Sequence, residues 1–438
     1  MRVAFYTLGC KVNQYETQAM EGELRRRGHR LVSFDGPADA YVINTCAVTA
    51  VSDKKSRQAI RRARKQAPGA VVAVCGCSAQ IAPDRLRELG VDLLGGSGER
   101  LAFVDRLEQV YENRRREELL DDAMARRRFE RLPAGGLEGR TRAMLKVEDG
   151  CVNFCSYCVI PYARGPVRSL PLEETVCEAK RLADEGYREI VVTGIEISSW
   201  GRDLPGRPAL TDLVEAVCRA APGCRVRLGS LEPRTVTEEF CARLAALPNL
   251  CPHFHLSLQS GCDAVLARMN RKYDTARYFE SIKLLRGHFS DPALTTDLIV
   301  GFPGEAEEEF AQSLAFAERC AFAAMHVFPY SIRPGTPAAA MEQVPGPVKE
   351  ERARRAGALA RRLKAEHLAS QVGKTVQVLF EERRADGLWA GHTPDYLLVE
   401  ARGEALHNQL RRVELLRAEG DFLAGRIISC VPAENQVD

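Results

Sequence analysis

The segment GCVNFCSYC, residues 150–158, carries Cys151, Cys155 and Cys158 in a CxxxCxxC spacing. Three soft thiolates this close suit a metal cluster better than a disulfide. A zinc site needs a fourth nearby Cys or His. The following twenty residues offer only Cys177, which falls in the helical pattern TVCEAKRLA and is expected in the core. The ferredoxin spacings supply four cysteines to a cluster, whereas three leave one iron of a [4Fe–4S] cluster open. S-adenosylmethionine can fill that position through its amino and carboxylate groups. One electron then breaks its C–S bond to give a 5′-deoxyadenosyl radical, chemistry that belongs to the cofactor. Zinc binding and chance spacing are the competing readings.

A second set is dispersed. Cys10 follows Gly9 after the first strand-like run, Cys46 ends Asn44-Thr45-Cys46 after another, and Cys77 follows Gly76 after a third. If those runs are parallel strands, their carboxyl ends share one crevice, and thiols 36 and 31 residues apart in sequence can converge there. The glycines permit the tight turns this requires. Cys75 competes with Cys77 for the third position, but it belongs to the apolar run, and neighbouring strand residues face opposite ways. Three unconnected buried thiols is the plain alternative.

These cysteines need elements to position them. Val3–Leu8, Ala40–Asn44 and Val71–Val74 read as buried parallel strands separated by helix-forming stretches, which predicts a doubly wound α/β domain. Asn13 and Glu16 have capping-box spacing, and Gly28 suits the end of that helix. A polar stretch from Glu112 to Arg140, with Pro133, Gly135 and Gly136, reads as a solvated helix and linker or as a nucleic-acid contact. From Ala143 six strands, Met144–Val147, Glu189–Thr193, Arg225–Leu228, His253–Leu258, Leu294–Val300 and Met325–Tyr330, alternate with helices such as Glu173–Glu185 and Thr211–Ala220. Six units fall two short of the eightfold barrel, so an α/β fold with an open, partial (β/α)6 barrel is expected, with CxxxCxxC at its mouth. Lys349–Gln371 reads as a closing helix. Thr375–Phe380, Leu388–Ala390, Tyr396–Val399 and Phe422–Ser429 then predict a small β-barrel. The expected domains are 1–111, a linker 112–140, 141–371 and 372–438.

The chain has 438 residues, 45% hydrophobic and 28% charged, with a net charge of +3. That is ordinary for a globular protein and too apolar for extended disorder. No apolar run approaches the roughly 20 residues of a membrane span. Fifteen cysteines, an odd number without signal-peptide anatomy at the start, disfavour a secreted disulfide framework and fit a cytoplasmic protein with metal centres. The other thiols, such as Cys218, Cys241 and Cys320, are expected to pack as small hydrophobes. Basic side chains cluster in Lys54–Lys65, where Lys54, Lys55, Arg57, Arg61 and Arg62 can supply phosphate contacts or simply form a solvated face.

TLGCKVNQYET, INTCAVT, GCSAQ, GCVNFCSYCVIPYARGPVRS, LSLQSGCDAVLARMNRKY, TTDLIVGFPGE and FPYSIRPGTPAA together make the chain resemble the methylthiotransferase family of radical S-adenosylmethionine enzymes. The terminal barrel, from GKTVQVLFEE through GHTPDYLLV, looks like a TRAM domain. The resemblance implies attachment of a methylthio group to an unactivated C–H carbon. It further implies that Cys10, Cys46 and Cys77 hold an auxiliary [4Fe–4S] cluster and that Cys151, Cys155 and Cys158 hold the radical-generating one. KVNQYET and FPYSIRPGTPAA resemble the tRNA branch that acts on C2 of N6-threonylcarbamoyladenosine at position 37, beside the anticodon. Isopentenyladenosine tRNA, a ribosomal protein and a non-transferase iron–sulfur electron carrier are the alternatives. An external one-electron reductant is implied as well.

Adenine C2–H is not acidic enough for ordinary general-base chemistry, so no catalytic residue beyond the cluster ligands is assigned. For cofactor binding the candidates are Tyr157, beside the last ligand; Gly194 and Glu196, after a strand; Ser230, Glu232, Gln259 and Asp297, at or in later strands; and Gly301 in the GFPGE turn. Glu196 stands where the resembling branch often has His. Arg164 is read as either a substrate contact or a structural ion pair.

Overall fold

The computed structural model describes residues 1–133, 135 and 139–428. Gly136 of the expected linker and the chain beyond Ile428, with the last residue of the strand expected to end at Ser429, lie outside them.

The first domain runs β1 (Arg2–Thr7), α1 (Lys11–Arg26), β2 (Arg30–Val32), β3 (Ala40–Thr45), α2 (Ala50–Gln66), β4 (Val71–Gly76), α3 (Cys77–Ile81), α4 (Pro83–Arg87), β5 (Leu93–Gly95), α5 (Arg100–Asn113) and β6 (Glu117–Leu119). Its six strands form one parallel sheet in the order β2-β1-β3-β4-β5-β6. Alternation along each strand feeds both faces. Tyr41, Ile43, Val72 and Val74 pack on Ala59, Ile60 and Ala63 of α2. Val42, Ala73 and Cys75 pack on Met20 and Leu24 of α1 and Phe103 and Leu107 of α5. This is the expected doubly wound arrangement. β6 draws the start of the expected linker into the sheet.

The capping box is a correction. α1 begins at Lys11 behind Cys10, so Asn13 and Glu16 both lie inside the helix. Glu16 is fully buried, for a reason given below. Gly28 does follow the helix end, in a left-handed conformation.

The second domain contains β7 (Arg142–Lys146), β8 (Glu148–Asp149), α6 (Ile160–Arg164), β9 (Arg168–Ser169), α7 (Leu172–Asp184), β10 (Glu189–Thr193), α8 (Leu210–Ala220), β11 (Arg225–Leu228), β12 (Ser230–Leu231), α9 (Glu238–Ala245), β13 (His253–Leu256), α10 (Asp263–Arg268), α11 (Thr275–His288), β14 (Ala293–Val300), α12 (Glu307–Cys320), β15 (Ala324–Pro329) and α13 (Gly346–Gln371). Parallel ladders join β7-β10-β11 and β12-β13-β14-β15, and only Gly229 separates β11 from β12. The six expected strands are therefore in sequential order, and among the described residues no ladder closes β15 onto β7: the barrel is open. Cys177, expected in the core, is exposed on α7. Cys218, Cys241 and Cys320 are buried as expected.

The chain then forms β16 (Thr375–Arg383), β17 (Trp389–His392), β18 (Leu398–Ala401), β19 (Gln409–Glu419) and β20 (Phe422–Ile427), a closed five-stranded barrel. Its β17–β18 loop docks under the second domain. The Tyr396 ring stacks on His392 at 4.7 Å, and the guanidinium of Arg227 stands 4.7 Å from its centroid. Arg142 donates to its hydroxyl at 2.9 Å. Among the described residues no helix is long and apolar enough to cross a membrane.

Candidate active site

Cys10, Cys46 and Cys77 follow β1, β3 and β4, three adjacent strands, so the carboxyl edge of the sheet gathers them. Gly9 (φ +110°) makes the approach possible: a Cβ there would stand 3.0 Å from the Cys46 Cβ and 3.2 Å from its sulfur. Asn13 holds the crevice together by donating to the carbonyls of Leu8 at 2.8 Å and Thr45 at 3.0 Å. Cys75 faces away, fully buried against the α1–α5 layer. Its carbonyl accepts from Thr45 Oγ1 at 2.7 Å.

The CxxxCxxC loop leads into α6, which packs on α3. Val159 and Ala163 lie against Cys77 and Ala47 in one small apolar cluster. The two trios are thus neighbours across a domain interface. Burial pushes the Cys46, Cys151 and Cys158 thiols up to about 12. The Cys158 thiol is raised further by the charges of Cys155 and Cys77. Among the described residues no three His, Cys, Asp or Glu side chains close around a point tightly enough for a single metal ion. A four-iron cluster bonds each thiolate to a different iron, so its sulfurs stand farther apart than those around one zinc.

Two cations face these sulfurs. Arg164, at the end of α6, donates through Nε to Cys77 Sγ at 3.3 Å. It also bonds Asn13 Oδ1 at 2.6 Å and Glu16 Oε2 at 3.2 Å. Glu16 pairs with Arg100 at 2.8 Å and Lys146 at 3.2 Å, and Lys146 with Asp149 at 2.7 Å. Burial alone would raise the Glu16 carboxyl, but Arg100, Arg164 and Lys146 outweigh it and hold the group at about 2. Arg164 has no exposed surface, which makes it a member of an ion network rather than a substrate contact. The second cation, Arg271, donates to Cys155 Sγ at 3.2 Å and stands over the Tyr273 ring.

Tyr157 packs edge-on against Phe302 at 6.3 Å, in the cluster that holds Cys262, Met269 and Tyr330. Gly194 lies against the buried carboxyl of Glu148, within 2.7 Å of where a Cβ would stand. Glu148 Oε2 accepts the Glu196 amide at 2.7 Å, while Oε1 has no partner among the described residues. Burial raises the Glu148 carboxyl well above its ordinary value. Burial also raises Glu196, with Arg271 opposing the shift. Glu232 is buried and accepts from Arg234 at 2.9 Å, whereas Ser230 is exposed. Gln259, at φ +65°, exchanges backbone hydrogen bonds with Asp297 and Ile299. Asp297 stands 3.3 Å from His255 Nε2. Gly301 donates its amide to Glu305 at 2.6 Å. Cys151–Cys158, Glu196, Glu232 and Arg271 share one end of the barrel.

On α2, Arg57 pairs with Asp53 at 3.5 Å, and Arg62 with Asp35. Lys54, Lys55 and Arg61 are exposed and without an ion pair among the described residues. Arg271 and Glu148 escaped the sequence reading. Arg271 lies within LSLQSGCDAVLARMNRKY, and Glu148 stands two residues before Gly150, but neither carries a local signal that singles it out.

Residues 145–317 match the Radical SAM superfamily, and residues 2–96 match the uncharacterized protein family UPF0004. Over 99% of its length the chain is 38% identical to the threonylcarbamoyladenosine tRNA methylthiotransferase MtaB of Bacillus subtilis (strain 168), covering 97% of that protein. The protein of the same name from Thermotoga maritima is 36% identical over 98% of this chain and 96% of its own length. The tRNA-2-methylthio-N(6)-dimethylallyladenosine synthase of Symbiobacterium thermophilum is 34% identical over 98% of this chain and 94% of its own. Among solved structures, the radical S-adenosylmethionine methyltransferase TsrM from Kitasatospora setae superposes with a TM-score of 0.54 at 15% identity, covering 77% of each chain; that likeness concerns the fold. The chain belongs to the radical S-adenosylmethionine methylthiotransferase family. As such it uses S-adenosylmethionine and a [4Fe–4S] cluster.

Proposed function

We propose that this enzyme converts N6-threonylcarbamoyladenosine at position 37 of tRNA to its 2-methylthio derivative, using two [4Fe–4S] clusters. The observation that carries the reading is the meeting of two cysteine trios across the α3–α6 contact, each with an arginine on one of its sulfurs, Arg164 fully buried and Arg271 half-buried. Cys151, Cys155 and Cys158 would hold the radical-generating cluster, and Cys10, Cys46 and Cys77 the auxiliary one. Bound there, the clusters and S-adenosylmethionine supply reductive C–S cleavage and a methylated sulfur for transfer to carbon.

This chain's own residues supply position and charge. Arg164 and Arg271 each place a guanidinium against a ligand sulfur, Cys77 and Cys155 respectively. Glu16, Arg100, Lys146 and Asp149 lock α1 onto β7, which fixes the distance between the trios. Tyr157, Gly194, Glu196, Glu232, Gln259, Asp297 and Gly301 form the cofactor wall, with Ser230 at its rim. Glu148, whose carboxyl burial raises, keeps its Oε1 without a partner among the described residues beside this wall. Lys54, Lys55 and Arg61 on α2 would take phosphates of the anticodon loop, with Arg57 and Arg62 beside them.

Residues 1–111, with β6, would be the auxiliary-cluster domain, 112–140 the connection, 141–371 the radical domain and 372–438 the TRAM barrel. The setting would be the cytoplasm, with an external one-electron reductant. The two MtaB relatives, matched nearly end to end, support the choice of nucleoside. Mass analysis of nucleosides after anaerobic turnover of tRNA tests it. The expected product is 2-methylthio-N6-threonylcarbamoyladenosine. Methylthiolation of dimethylallyladenosine or of a ribosomal protein instead would overturn it.

A further inference from the structure

Several large apolar side chains near the mouth of the site are left exposed. Thirteen large hydrophobic residues are exposed among those described, and seven of them stand on the cysteine-bearing segments or on the end of the barrel's last strand and the turn after it. Val48 and Val51 follow Cys46; Val152, Phe154 and Tyr162 accompany the CxxxCxxC loop and α6; Phe328 and Ile332 end the barrel's last strand. The loops are joined where the Ala50 amide donates to Ser331 Oγ at 2.9 Å. Such a concentration marks a docking site.

Two of these residues form a built feature. The Phe154 and Tyr162 rings meet edge to face, with centroids 5.8 Å apart and planes at 68°, yet they remain 39% and 47% exposed. Phe154 sits at φ +45°, a region disfavoured for a residue with a bulky side chain. Asn270 holds it there by donating to its carbonyl at 2.8 Å, and Lys272 in turn bonds Asn270 at 2.6 Å. Phe154 thus holds a left-handed backbone directly before Cys155 while its ring stays partly exposed. Exposed cations, Lys54 and Lys55 on one side and Lys272 on the other, stand on the flanking elements.

We propose that Phe154 and Tyr162 are a stacking platform for unpaired RNA bases next to the nucleotide being modified. This rests on the tRNA reading above. An adenine whose C2 is to reach a recessed site must leave its stack, and its neighbours then lose a face that an aromatic side chain can replace. The surrounding lysines complement the phosphates. An apolar protein partner has no need of those cations.

The test uses the full-length, anaerobically reconstituted protein and an anticodon stem-loop carrying N6-threonylcarbamoyladenosine, with 2-aminopurine at the neighbouring position. Phe154→Ala and Tyr162→Ala should each weaken binding by about 5- to 150-fold and abolish the fluorescence quenching seen on binding, whereas Phe154→Trp and Tyr162→Phe should retain both. Iron content serves as the control for an intact fold; if Phe154→Ala loses iron, Tyr162→Ala carries the test. Wild-type affinity and quenching in an iron-replete alanine variant would overturn the platform, leaving it a cover for the cluster loop. Failure of the wild type to bind the stem-loop would instead overturn the tRNA reading itself.

Discussion

Arg164, on the helix that follows the CxxxCxxC cysteines, donates to Cys77 Sγ of the other domain at 3.3 Å. A single guanidinium thus ties one cysteine trio to the ligand loop of the other. It is fully buried, and its remaining donors go to Asn13, Glu16, Asp149 and the Ser97 carbonyl. Replacing it by Met removes the one positive charge that touches the Cys77 sulfur. Arg164→Met should therefore lower iron at the Cys10, Cys46 and Cys77 site while sparing the other, to about half the wild-type iron per chain. Metal analysis and electron paramagnetic resonance of the reduced protein check this. Full iron loading would refute it.

The trios should be separable by function. Cys151→Ala should abolish formation of 5′-deoxyadenosine. Cys10→Ala should leave cleavage of S-adenosylmethionine intact and remove methylthiolation. Chromatography of the nucleoside and tRNA products distinguishes them. Normal methylthio product from the Cys10 variant would contradict the auxiliary site.

Glu16 should be the acid-sensitive point of the domain contact. Its carboxyl ordinarily titrates near 4.5 and is held at about 2 in the fold. A lowered folded-state value stabilises the protein above 4.5, and that contribution is lost as pH falls toward 2. Glu189, held at about 2 by Arg227, Arg225 and Arg142 against its own burial, acts in the same window and direction. Glu16→Gln leaves the buried Arg100 without its paired carboxylate and Arg164 and Lys146 with Asp149 alone, which should destabilise by about 3 kcal/mol. Urea unfolding at neutral pH and at pH 4 measures both effects; the variant should lose the share of the acid dependence that Glu16 contributes.

Tyr396 should matter for stability rather than for RNA. Its ring is wedged among His392, Arg227 and Arg142, so Tyr396→Ala should destabilise by about 1–3 kcal/mol with the affinity for tRNA unchanged. Deleting everything after Gly373 would remove this contact together with the barrel. A binding loss on truncation therefore has to be compared with the Tyr396 variant, measured by filter binding and thermal unfolding.

The elements that place the cysteines were legible in the sequence because they are short, apolar and β-branched, and end in Gly-Cys or Thr-Cys. The ladder ranges of β1, β3, β4 and the six barrel strands agree with those runs to within about two residues. β19 was missed because QLRRVELLRAE is rich in helix formers and its alternation breaks at the register shift between Leu415 and Arg417. β2, β5 and β6 are three residues each, too short to carry a period. Asn13 and Glu16 show a limit of another kind. Their spacing fits a cap, but they serve contacts with Thr45, Arg100 and Arg164, 32 to 151 residues away, which no local pattern announces. Arg271 reaches Cys155 over 116 residues and was invisible for the same reason.

Iron and sulfide analysis of the anaerobically reconstituted wild type, beside two variants in which either complete cysteine trio is replaced by alanine, tests the two-centre arrangement most directly. About eight irons per wild-type chain and about four in each variant are predicted. About four irons in the wild type, or full loading of either variant, would contradict it.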